Sequence, residues 1–433
     1  MKAALAAFFM VKNGFNAYNL LVIFMYYLVG IKGSGMASLA QILRDLGYKV
    51  TGCDVDGDFY TCDGLSGIEI DSLENIKYDD NYVYIIGNLY FNSDISKAIK
   101  GKYEYYSYPF FVNNLFDCIN IAISGTHGKT TTTKFLSCLL PNASYLIGDS
   151  EGYGMEGDYF IYEACEYKDN FLNYTPDILY VGNIDYDHPD YFKDIDDTFK
   201  SFNELSKRVK ILITNGDDKT TLNLESKNKI TFGFNNTNDC VGNYEIIDGG
   251  YLLKIKYKNE DIEIKYPYYG KHMIYNFLGV YTILRTLGIS NKYIVDNIDK
   301  LTLPKRRSAT KMIGTNYYIC DYAHHPNEIL SFYKGIVENP LFKGLFKVAI
   351  FEAHTISRLQ TYIMEYKNVL SKFDDCYIYD IFTSPREKAS AETKEKLYTA
   401  LGFKRYYELP RLSNSVICFL GAGNIDCEFN KIK

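Results

Sequence analysis

The chain has 433 residues, 47% of them hydrophobic, a length that predicts two to three domains, each with its own core. The formal charge of -6 and the absence of long blocks of like charge argue against a nucleic-acid partner or a polybasic membrane patch, while small anionic ligands remain compatible. The ten cysteines include no CxxC pair, which indicates reduced thiols rather than a disulfide framework or a zinc site.

The N-terminal segment has the composition of a leader. Its apolar run, residues 20–29, covers only about half of the roughly 20 residues that a membrane helix needs, so we predict no stable membrane insertion. No small-residue cleavage site follows the run, which argues against a secretory signal. We therefore interpret residues 1–25 as a leader and expect a cytoplasmic protein. Met25 is an alternative start, and the sequence leaves open whether the leader is translated or functional.

The first folded segment has the pattern of a βαβ unit. We predict a strand at Tyr26–Gly30, an amphipathic helix at Met36–Leu46 and a strand at Lys49–Asp54. Short apolar runs follow at Tyr82–Gly87 and Tyr106–Val112. The alternation is typical of an α/β fold with a mostly parallel sheet.

Strand and helix patterns continue through the rest of the chain. The predicted strands are Asn120–Ser124, Tyr159–Glu163, Ile178–Asn183, Tyr317–Cys320, Lys347–Phe351, Cys376–Tyr379 and Val416–Leu420. In residues 227–268 apolar and polar side chains alternate as they do in β-hairpins. This pattern predicts a small antiparallel sheet attached to the central domain. We predict three α/β domains at residues 26–117, 118–302 and 303–433.

A glycine loop in the central segment has the features of a phosphate-binding turn. The sequence GTHGKT, Gly125–Thr130, follows an apolar strand and opens a helix, where backbone N–H groups can hold polyphosphate. Its spacing is GxxGKT rather than the common GxxxxGKT. Lys129 would reach the outer phosphates, and the Thr130 hydroxyl would ligate Mg²⁺.

A second glycine loop follows the first strand. Gly30, Gly33 and Gly35 have the spacing GxxGxG, whereas the dinucleotide fingerprint is GxGxxG, although Asp54 does lie at the end of the second strand. A diphosphate could rest on the amides of this turn. A tight turn required only for packing is the alternative.

Glu163 and His188 follow neighbouring predicted strands of the central domain. Ligands of open α/β sheets bind beyond the carboxyl ends of the strands, so these two side chains should converge with the phosphate loop. Carboxylate and imidazole groups there could hold Mg²⁺. A surface position for Glu163 or Glu166, and a turn role for His188 before Pro189, are the alternatives.

Taken together, these segments resemble the Mur ligase family over residues 27–425. The matching segments are GIKGSGMASLAQILRDLGYKVTGCD, IIGN, GTHGKTTTT, FIYEACEYKDNFLNYTPD, NIDYDHPDYF, GKHMIYN, PKRRS, CDYAHHPNEI, FEAHTISR, DIFTSPRE and LGAGNI. All six histidines of the chain fall inside them. Within the family, the segments are most similar to the members of low-GC Gram-positive bacteria that add L-alanine.

The resemblance implies two Rossmann-like domains flanking a central ATPase domain. The first would bind UDP-N-acetylmuramate, the second ATP and Mg²⁺, and the third L-alanine. The implied reaction is ATP-dependent amide formation through an acyl phosphate, in peptidoglycan precursor synthesis.

The resemblance also implies roles for individual residues. The ATP contacts would be Gly125, Thr126, His127, Gly128, Lys129, Thr130, Thr131, His272, Asn276, Arg307 and Asp321. The metal ligands would be Thr130, Glu163 and His188. The substrate contacts would be Gly33, Ser34, Gly35, Asp54, His324, His354 and Arg358. The residues acting in the reaction would be Lys129, His188, Arg307, His354 and Arg358.

Arginine is rare in this chain, with nine residues among 47 basic ones. Arg306, Arg307, Arg358 and Arg386 lie in the matching segments, which suggests planar, two-pronged contacts with phosphate or carboxylate. Either His324 or His354 could deprotonate the amine. Because water would hydrolyse an acyl phosphate, the third domain should close over the second.

Three other functions stay open at this point. Another ligase of the family would attach a peptide or a different amino acid. A nicotinamide-dependent oxidoreductase is disfavoured by the spacing of the first glycine loop, and a non-catalytic binding protein is disfavoured by the intact phosphate loop. The sequence predicts a monomer or homodimer without deciding between them, and it leaves selectivity among Ala, Ser and Gly open.

Overall fold

The computed structural model describes residues 25–57, 59–382 and 390–432. These residues form three α/β units in succession, each built on its own sheet. No helix in the described ranges combines the length and the apolar character needed to cross a membrane. The predicted leader, except Met25, and Arg386 lie outside the described residues.

The first sheet is parallel and has five strands in the order β3-β2-β1-β4-β5. Its strands are β1 (Met25–Val29), β2 (Lys49–Asp54), β3 (Ile70–Ser72), β4 (Tyr82–Ile86) and β5 (Tyr105–Ser107). Its helices are α1 (Ser34–Asp45), α2 (Asp94–Ile99) and α3 (Tyr108–Asn113). The predicted βαβ opening is confirmed. The apolar run 106–112 divides into β5 and α3, because Pro109 in the first turn of α3 lacks an N–H and favours a helix start.

The second sheet is mixed and has ten strands in the order β15-β14-β13-β12-β11-β10-β6-β9-β7-β8. Its strands are β6 (Ile119–Ser124), β7 (Ala143–Ile147), β8 (Glu151–Tyr153), β9 (Tyr159–Glu163), β10 (Ile178–Val181), β11 (Ile211–Asn215), β12 (Lys229–Gly233), β13 (Cys240–Ile247), β14 (Gly250–Tyr257) and β15 (Glu260–Tyr266). Its helices are α4 (Lys129–Leu139), α5 (Ile195–Ser206), α6 (Lys219–Leu222), α7 (Lys271–Thr286) and α8 (Asn291–Asp296).

The predicted antiparallel strands are present but do not form a separate sheet. β13, β14 and β15 pair antiparallel, and β13 also pairs parallel with the end of β12. They extend the central sheet because β12 leaves an edge whose backbone groups need partners.

The third sheet has six strands in the order β16-β17-β21-β18-β19-β20, parallel except for the β16–β17 hairpin. Its strands are β16 (Ala309–Ile313), β17 (Asn316–Asp321), β18 (Phe346–His354), β19 (Asp375–Phe382), β20 (Lys404–Arg405) and β21 (Ser415–Leu420). Its helices are α9 (Pro326–Glu338), α10 (Ile356–Thr361), α11 (Ile363–Leu370), α12 (Ala391–Leu401) and α13 (Ile425–Asn430). Short 3₁₀ segments lie at Tyr60–Leu65, Leu73–Asn75, Tyr167–Asn173, Ile298–Lys300 and Pro340–Phe342.

The first unit packs directly on the second through α1. Ser38 Oγ donates to the Ile147 carbonyl at 2.8 Å, and Gln41 Nε2 donates to the Ser150 carbonyl at 2.7 Å. Buried apolar side chains of both units, including Leu39 and Leu146, belong to one core cluster. The first two units therefore share a hydrophobic core, while the third keeps its own. All ten cysteines are free thiols.

Candidate active site at the domain junction

The phosphate-loop sequence forms a tight turn between β6 and α4. Gly125 and Gly128 have φ values of 130° and 82°, which glycine adopts readily. A Cβ on Gly128 would lie 2.7 Å from Asn276 Oδ1, so α7 packs closely on the loop. Asn183 fixes the other side, since its Oδ1 accepts from the His127 N–H at 2.8 Å and its Nδ2 donates to the His127 carbonyl at 3.0 Å. The loop thus presents free helix-start amides on a rigid frame.

Lys129 is held over this loop by a buried carboxylate. Its Nζ donates to the Gly125 carbonyl at 2.6 Å, the Thr126 carbonyl at 3.1 Å and Glu166 Oε2 at 2.9 Å. Burial alone would lower the pKa of Lys129, but Glu166 raises it above its usual value, so the ammonium stays charged. Glu166 is 1% exposed, which excludes the surface position considered from the sequence.

Oxygen donors suited to magnesium meet at the start of α4. Thr130 Oγ1 lies 3.2 Å from Glu163 Oε2, and the Gly148 N–H donates to Glu163 Oε1 at 2.5 Å. Burial raises the pKa of Glu163 to about 7, opposed by the Gly148 amide. Hydroxyl and carboxylate oxygens are the hard donors that Mg²⁺ prefers, so this pair fits the ion. Within the described ranges no group of three or more His, Cys, Asp or Glu residues suits a metal, so waters and phosphate oxygens would supply the other ligands.

His188 lies beside Glu166, the carboxylate that also pairs with Lys129. Its Nε2 is 4.0 Å from Glu166 Oε1, and its ring centre is 4.5 Å from that of Tyr167. Burial lowers the pKa of His188, so the ring is neutral and can offer a nitrogen lone pair. The structure therefore brings two of the three predicted metal ligands together, Thr130 and Glu163, and places the third, His188, against Glu166.

A buried ion pair joins the second and third units next to His188. Arg358 Nη2 and Nε donate to Asp187 Oδ1 at 2.8 and 3.1 Å, and Arg358 Nη1 donates to His354 Nδ1 at 3.1 Å. Arg358 is 5% exposed. Burial opposes the charge on Asp187, but Arg358 holds the pKa of Asp187 well below its usual range. Most donors of Arg358 are thus used within the chain, whereas the sequence suggested contact with a ligand carboxylate.

A cavity of about 300 Å³ lies between the phosphate loop and the third unit. The predicted ATP contacts outside the phosphate loop all line it, namely His272, Asn276, Arg307 and Asp321, together with His127 and Gly128 of the loop. Burial lowers the pKa of His272 to about 4, so this ring is neutral. The mixture of polar and apolar walls at this size is typical of a small-ligand pocket.

His127 links the loop to the third unit. Its Nε2 lies 3.1 Å from Asp185 Oδ2, and its Nδ1 lies 3.5 Å from Glu328 Oε1 at the start of α9. Burial alone would lower the pKa of His127, but the two carboxylates raise it to about 9. A charged imidazolium therefore bridges the two units at neutral pH.

The first glycine loop is fixed by Asp54. The Lys32 N–H donates to Asp54 Oδ2 at 2.7 Å, and the Tyr90 hydroxyl donates to Asp54 Oδ1 at 3.1 Å. A Cβ on Gly35 would collide with the Tyr108 hydroxyl, so this position has no room for a larger residue. The carboxylate of Asp54 shapes the turn, and a ligand contact through Gly33, Ser34, Gly35 or Asp54 stays a prediction.

Sequence reasoning missed four residues that organise the site: Asn183, Asp185, Asp187 and Glu328. The first three lie in the segment NIDYDH, which was used only for its histidine. Polar residues directly after a buried strand are a usable signal, because the carboxyl ends of parallel strands line the ligand crevice.

Solved structures share this three-unit fold. A UDP-N-acetylmuramate–alanine ligase from Thermotoga maritima is 20% identical, with a TM-score of 0.76 over 94% of this chain and 97% of that chain. A murein peptide ligase from Psychrobacter arcticus is 20% identical, with a TM-score of 0.68 over 94% and 98% of the two chains. A pseudomurein peptide ligase from Methanothermus fervidus is 18% identical, with a TM-score of 0.62 over 94% and 100%. At these identities the likeness establishes the fold, three α/β domains.

The fold and the phosphate-loop crevice define a three-domain α/β protein with a turn suited to a polyphosphate. The family model described as Mur ligase family, catalytic domain, matches residues 25–101, and the model described as Mur ligase middle domain matches residues 153–284. The chain therefore carries the catalytic and middle domains of the Mur ligase family.

Proposed function

We propose that this enzyme joins L-alanine to the lactyl carboxylate of UDP-N-acetylmuramate, with ATP consumed to ADP and phosphate. The observation that carries the proposal is the contact between the phosphate-loop unit and the His354–Arg358 pair of the third unit through Asp187. This contact supports a shared crevice for the phosphate loop and a group of imidazole and guanidinium side chains.

The first step transfers the γ-phosphoryl group of ATP to the substrate carboxylate. A free carboxylate does not form an amide with an amine in water, so the acid needs activation as an acyl phosphate. Both partners are anions, and Lys129 of the second unit and Arg307 of the third unit would supply positive charge. Magnesium held by Thr130 and Glu163, with His188 nearby, would neutralise phosphate charge.

The nucleotide would occupy the cavity between the second and third units. The triphosphate would lie on the amides of Gly128–Thr131, with His272 and Asn276 toward the base and Asp321 toward the ribose. The uridine diphosphate of the second substrate would rest on the loop Gly33–Gly35 near Asp54. These assignments follow the family positions and the lining of the cavity.

The second step forms the amide. The amine of L-alanine attacks the acyl phosphate carbon, the C–N bond forms, and the phosphate departs with the electrons of the C–O bond. His324, His354 and Arg358 are the side chains proposed to receive the amino acid.

Phosphate release with a panel of acceptors tests the proposal. The purified enzyme, with ATP, Mg²⁺ and UDP-N-acetylmuramate, should release phosphate faster with L-alanine than with L-serine or glycine. The tripeptide L-alanyl-γ-D-glutamyl-meso-diaminopimelate should be a poor acceptor. A faster rate with the tripeptide would assign a peptide ligase instead, and no ATP consumption with any acceptor would refute the proposal.

A further inference from the structure

Two histidines of the third unit lie side by side at the edge of the crevice. The ring centres of His324 and His354 are 5.3 Å apart and nearly perpendicular, with an angle of 67° between the planes. His324 follows β17 in the segment before α9, and His354 ends β18. Both belong to the part of the site proposed for the amino acid, so either could handle the proton of its amine.

The partners of His354 determine which of its nitrogens carries a proton. Arg358 Nη1 lies 3.1 Å from His354 Nδ1, and a guanidinium can only donate. His354 Nδ1 must therefore accept, which leaves the proton on Nε2. Burial and Arg358 together hold the pKa of His354 far below its usual value, so the ring is neutral. His354 is thus a hydrogen-bond donor through Nε2–H and has no lone pair left for a proton.

The partners of His324 give the opposite result. Its Nδ1 lies 3.1 Å from the Tyr322 carbonyl oxygen and 3.1 Å from Glu328 Oε2, and both of these oxygens can only accept. Nδ1 therefore carries the proton, and in the neutral ring Nε2 keeps its lone pair. Nε2 makes no hydrogen bond to any residue that the structure describes.

The rest of the surroundings hold His324 in this orientation. Its backbone N–H donates to Glu328 Oε2 at 3.1 Å, and its carbonyl accepts from the Tyr366 hydroxyl at 2.6 Å. The charged and titratable groups near its ring are Glu328, His325, His354, Arg358, Asp187, Tyr322 and Tyr366. A carboxylate on Nδ1–H with a free Nε2 is the arrangement by which proteins orient a general base.

We propose that His324 is the general base that takes a proton from the ammonium group of the incoming amino acid, and that His354 serves only as a donor. This inference rests on the proposed function. His324 Nε2 would accept one proton from the ammonium. The neutral amine then forms the C–N bond, the C–O bond to phosphate breaks, and the second amine proton leaves with the released phosphate.

Glu328 also ties this base to the nucleotide loop. Its second oxygen, Oε1, lies 3.5 Å from His127 Nδ1, so one carboxylate faces both the phosphate loop and the proposed base. Burial alone would disfavour a charged carboxylate, but the neighbouring histidines hold the pKa of Glu328 well below its usual value. The base is therefore oriented by a permanent negative charge.

A nucleophile that needs no deprotonation distinguishes a general-base role of His324 from a purely structural role. Hydroxylamine is mostly uncharged at neutral pH and traps acyl phosphates as hydroxamates, whereas the α-amino group of alanine is protonated there. His324→Asn keeps a donor near Nδ1 but removes the base. We expect the rate with L-alanine to fall about 100-fold or more, and hydroxamate formation to stay within about threefold of wild type. The deficit with L-alanine should shrink as pH rises, because free amine becomes more abundant.

His354→Asn is the matched variant, since its amide oxygen can still accept from Arg358. We expect a raised KM for L-alanine with a kcat near that of wild type, and no rescue by high pH. Equal losses with alanine and hydroxylamine in a folded His324→Asn protein would overturn the proposal. If that variant does not fold, His324→Gln takes its place under the same criterion. Wild-type enzyme that forms no hydroxamate from UDP-N-acetylmuramate and ATP would instead refute the proposed function itself.

Discussion

Lys129 shows how a single residue is prepared for an anionic ligand. A buried ammonium is costly unless it is paired, and this one is paired with Glu166 and two loop carbonyls. The pairing keeps the side chain charged and aimed along the phosphate loop. A triphosphate entering the loop would meet a cation whose position is already fixed, so little ordering is needed on binding.

We predict that Lys129→Ala abolishes ATP-dependent phosphate release, with a loss of about 100-fold or more, because the transferred phosphoryl group loses its nearest cation. Steady-state phosphate assays would measure the effect, with circular dichroism to verify folding. Lys134→Ala is the control, since Lys134 lies on the same helix but pairs with Glu151. Activity of the Lys129 variant within a few-fold of wild type would contradict the assignment.

At the scale of elements, the glycine turn that starts α4 sets the position of every helix-start amide. Gly128 has a positive φ of 82° and packs against Asn276. Glycine is therefore favoured here for two reasons: it adopts this φ readily, and it leaves room for Asn276. Strand, turn and helix are local features, and the sequence pattern therefore located them correctly.

We predict that Gly128→Ala raises the KM for ATP at least about tenfold, because the added Cβ displaces Asn276 and the loop amides. Gly288→Ala isolates the backbone cost, since Gly288 has almost the same φ, 83°, and open space around its Cβ position. Both variants should lose about 1–2 kcal/mol of stability in thermal or urea unfolding. Only the Gly128 variant should lose ATP affinity. Equal KM values for ATP in the two variants would contradict a role of Gly128 in ATP binding.

At the scale of the whole molecule, the third unit is held on the second by ion pairs and hydrogen bonds rather than by a shared core. The pairs of Arg358 with Asp187, His127 with Glu328, and Asn327 with Asp185 all cross this boundary. Polar junctions of this kind can separate without exposing much apolar surface, which is consistent with the predicted closure of the third domain over the second.

We predict that Arg358→Ala raises the KM for L-alanine more than the KM for ATP, because His354 loses the donor that fixes its ring. The unpaired Asp187 should also cost about 3–5 kcal/mol in the free energy of unfolding. Arg358→Lys should restore little of either, since an ammonium cannot bond both Asp187 and His354 in the same plane. Equal rises of the two KM values in steady-state kinetics would remove this role for Arg358.

The His127 bridge gives the same junction a pH dependence. The pKa of His127 rises from an unfolded value of about 6.5 to about 9 in the folded chain. Its stabilising contribution is therefore complete below about pH 6.5 and is lost as pH rises through about 9. We expect the Tm difference between wild type and His127→Asn to be largest near pH 6 and to shrink by pH 10. A difference that stays constant across this range in differential scanning fluorimetry would contradict the pairing.

The sequence by itself determined the features that depend on neighbouring residues. The alternation of strands and helices, the GxxGKT turn and the positions of Glu163 and His188 at strand ends all follow from local patterns. The resemblance of the segments, which occur in the same order along the chain, indicated the Mur ligase family. These features were predictable because hydrophobic period and glycine spacing act within a few residues of one another.

Only the tertiary structure decided which distant side chains meet. Arg358 bonds Asp187 across 171 positions of sequence, and β13–β15 join the central sheet instead of forming their own. The different protonation of His324 and His354 likewise depends on Glu328 and Arg358, whose positions follow from the packing of α9 and α10. Hydrogen-bond direction is set by partners in space, and sequence spacing carries no information about partners that folding brings together from separate elements.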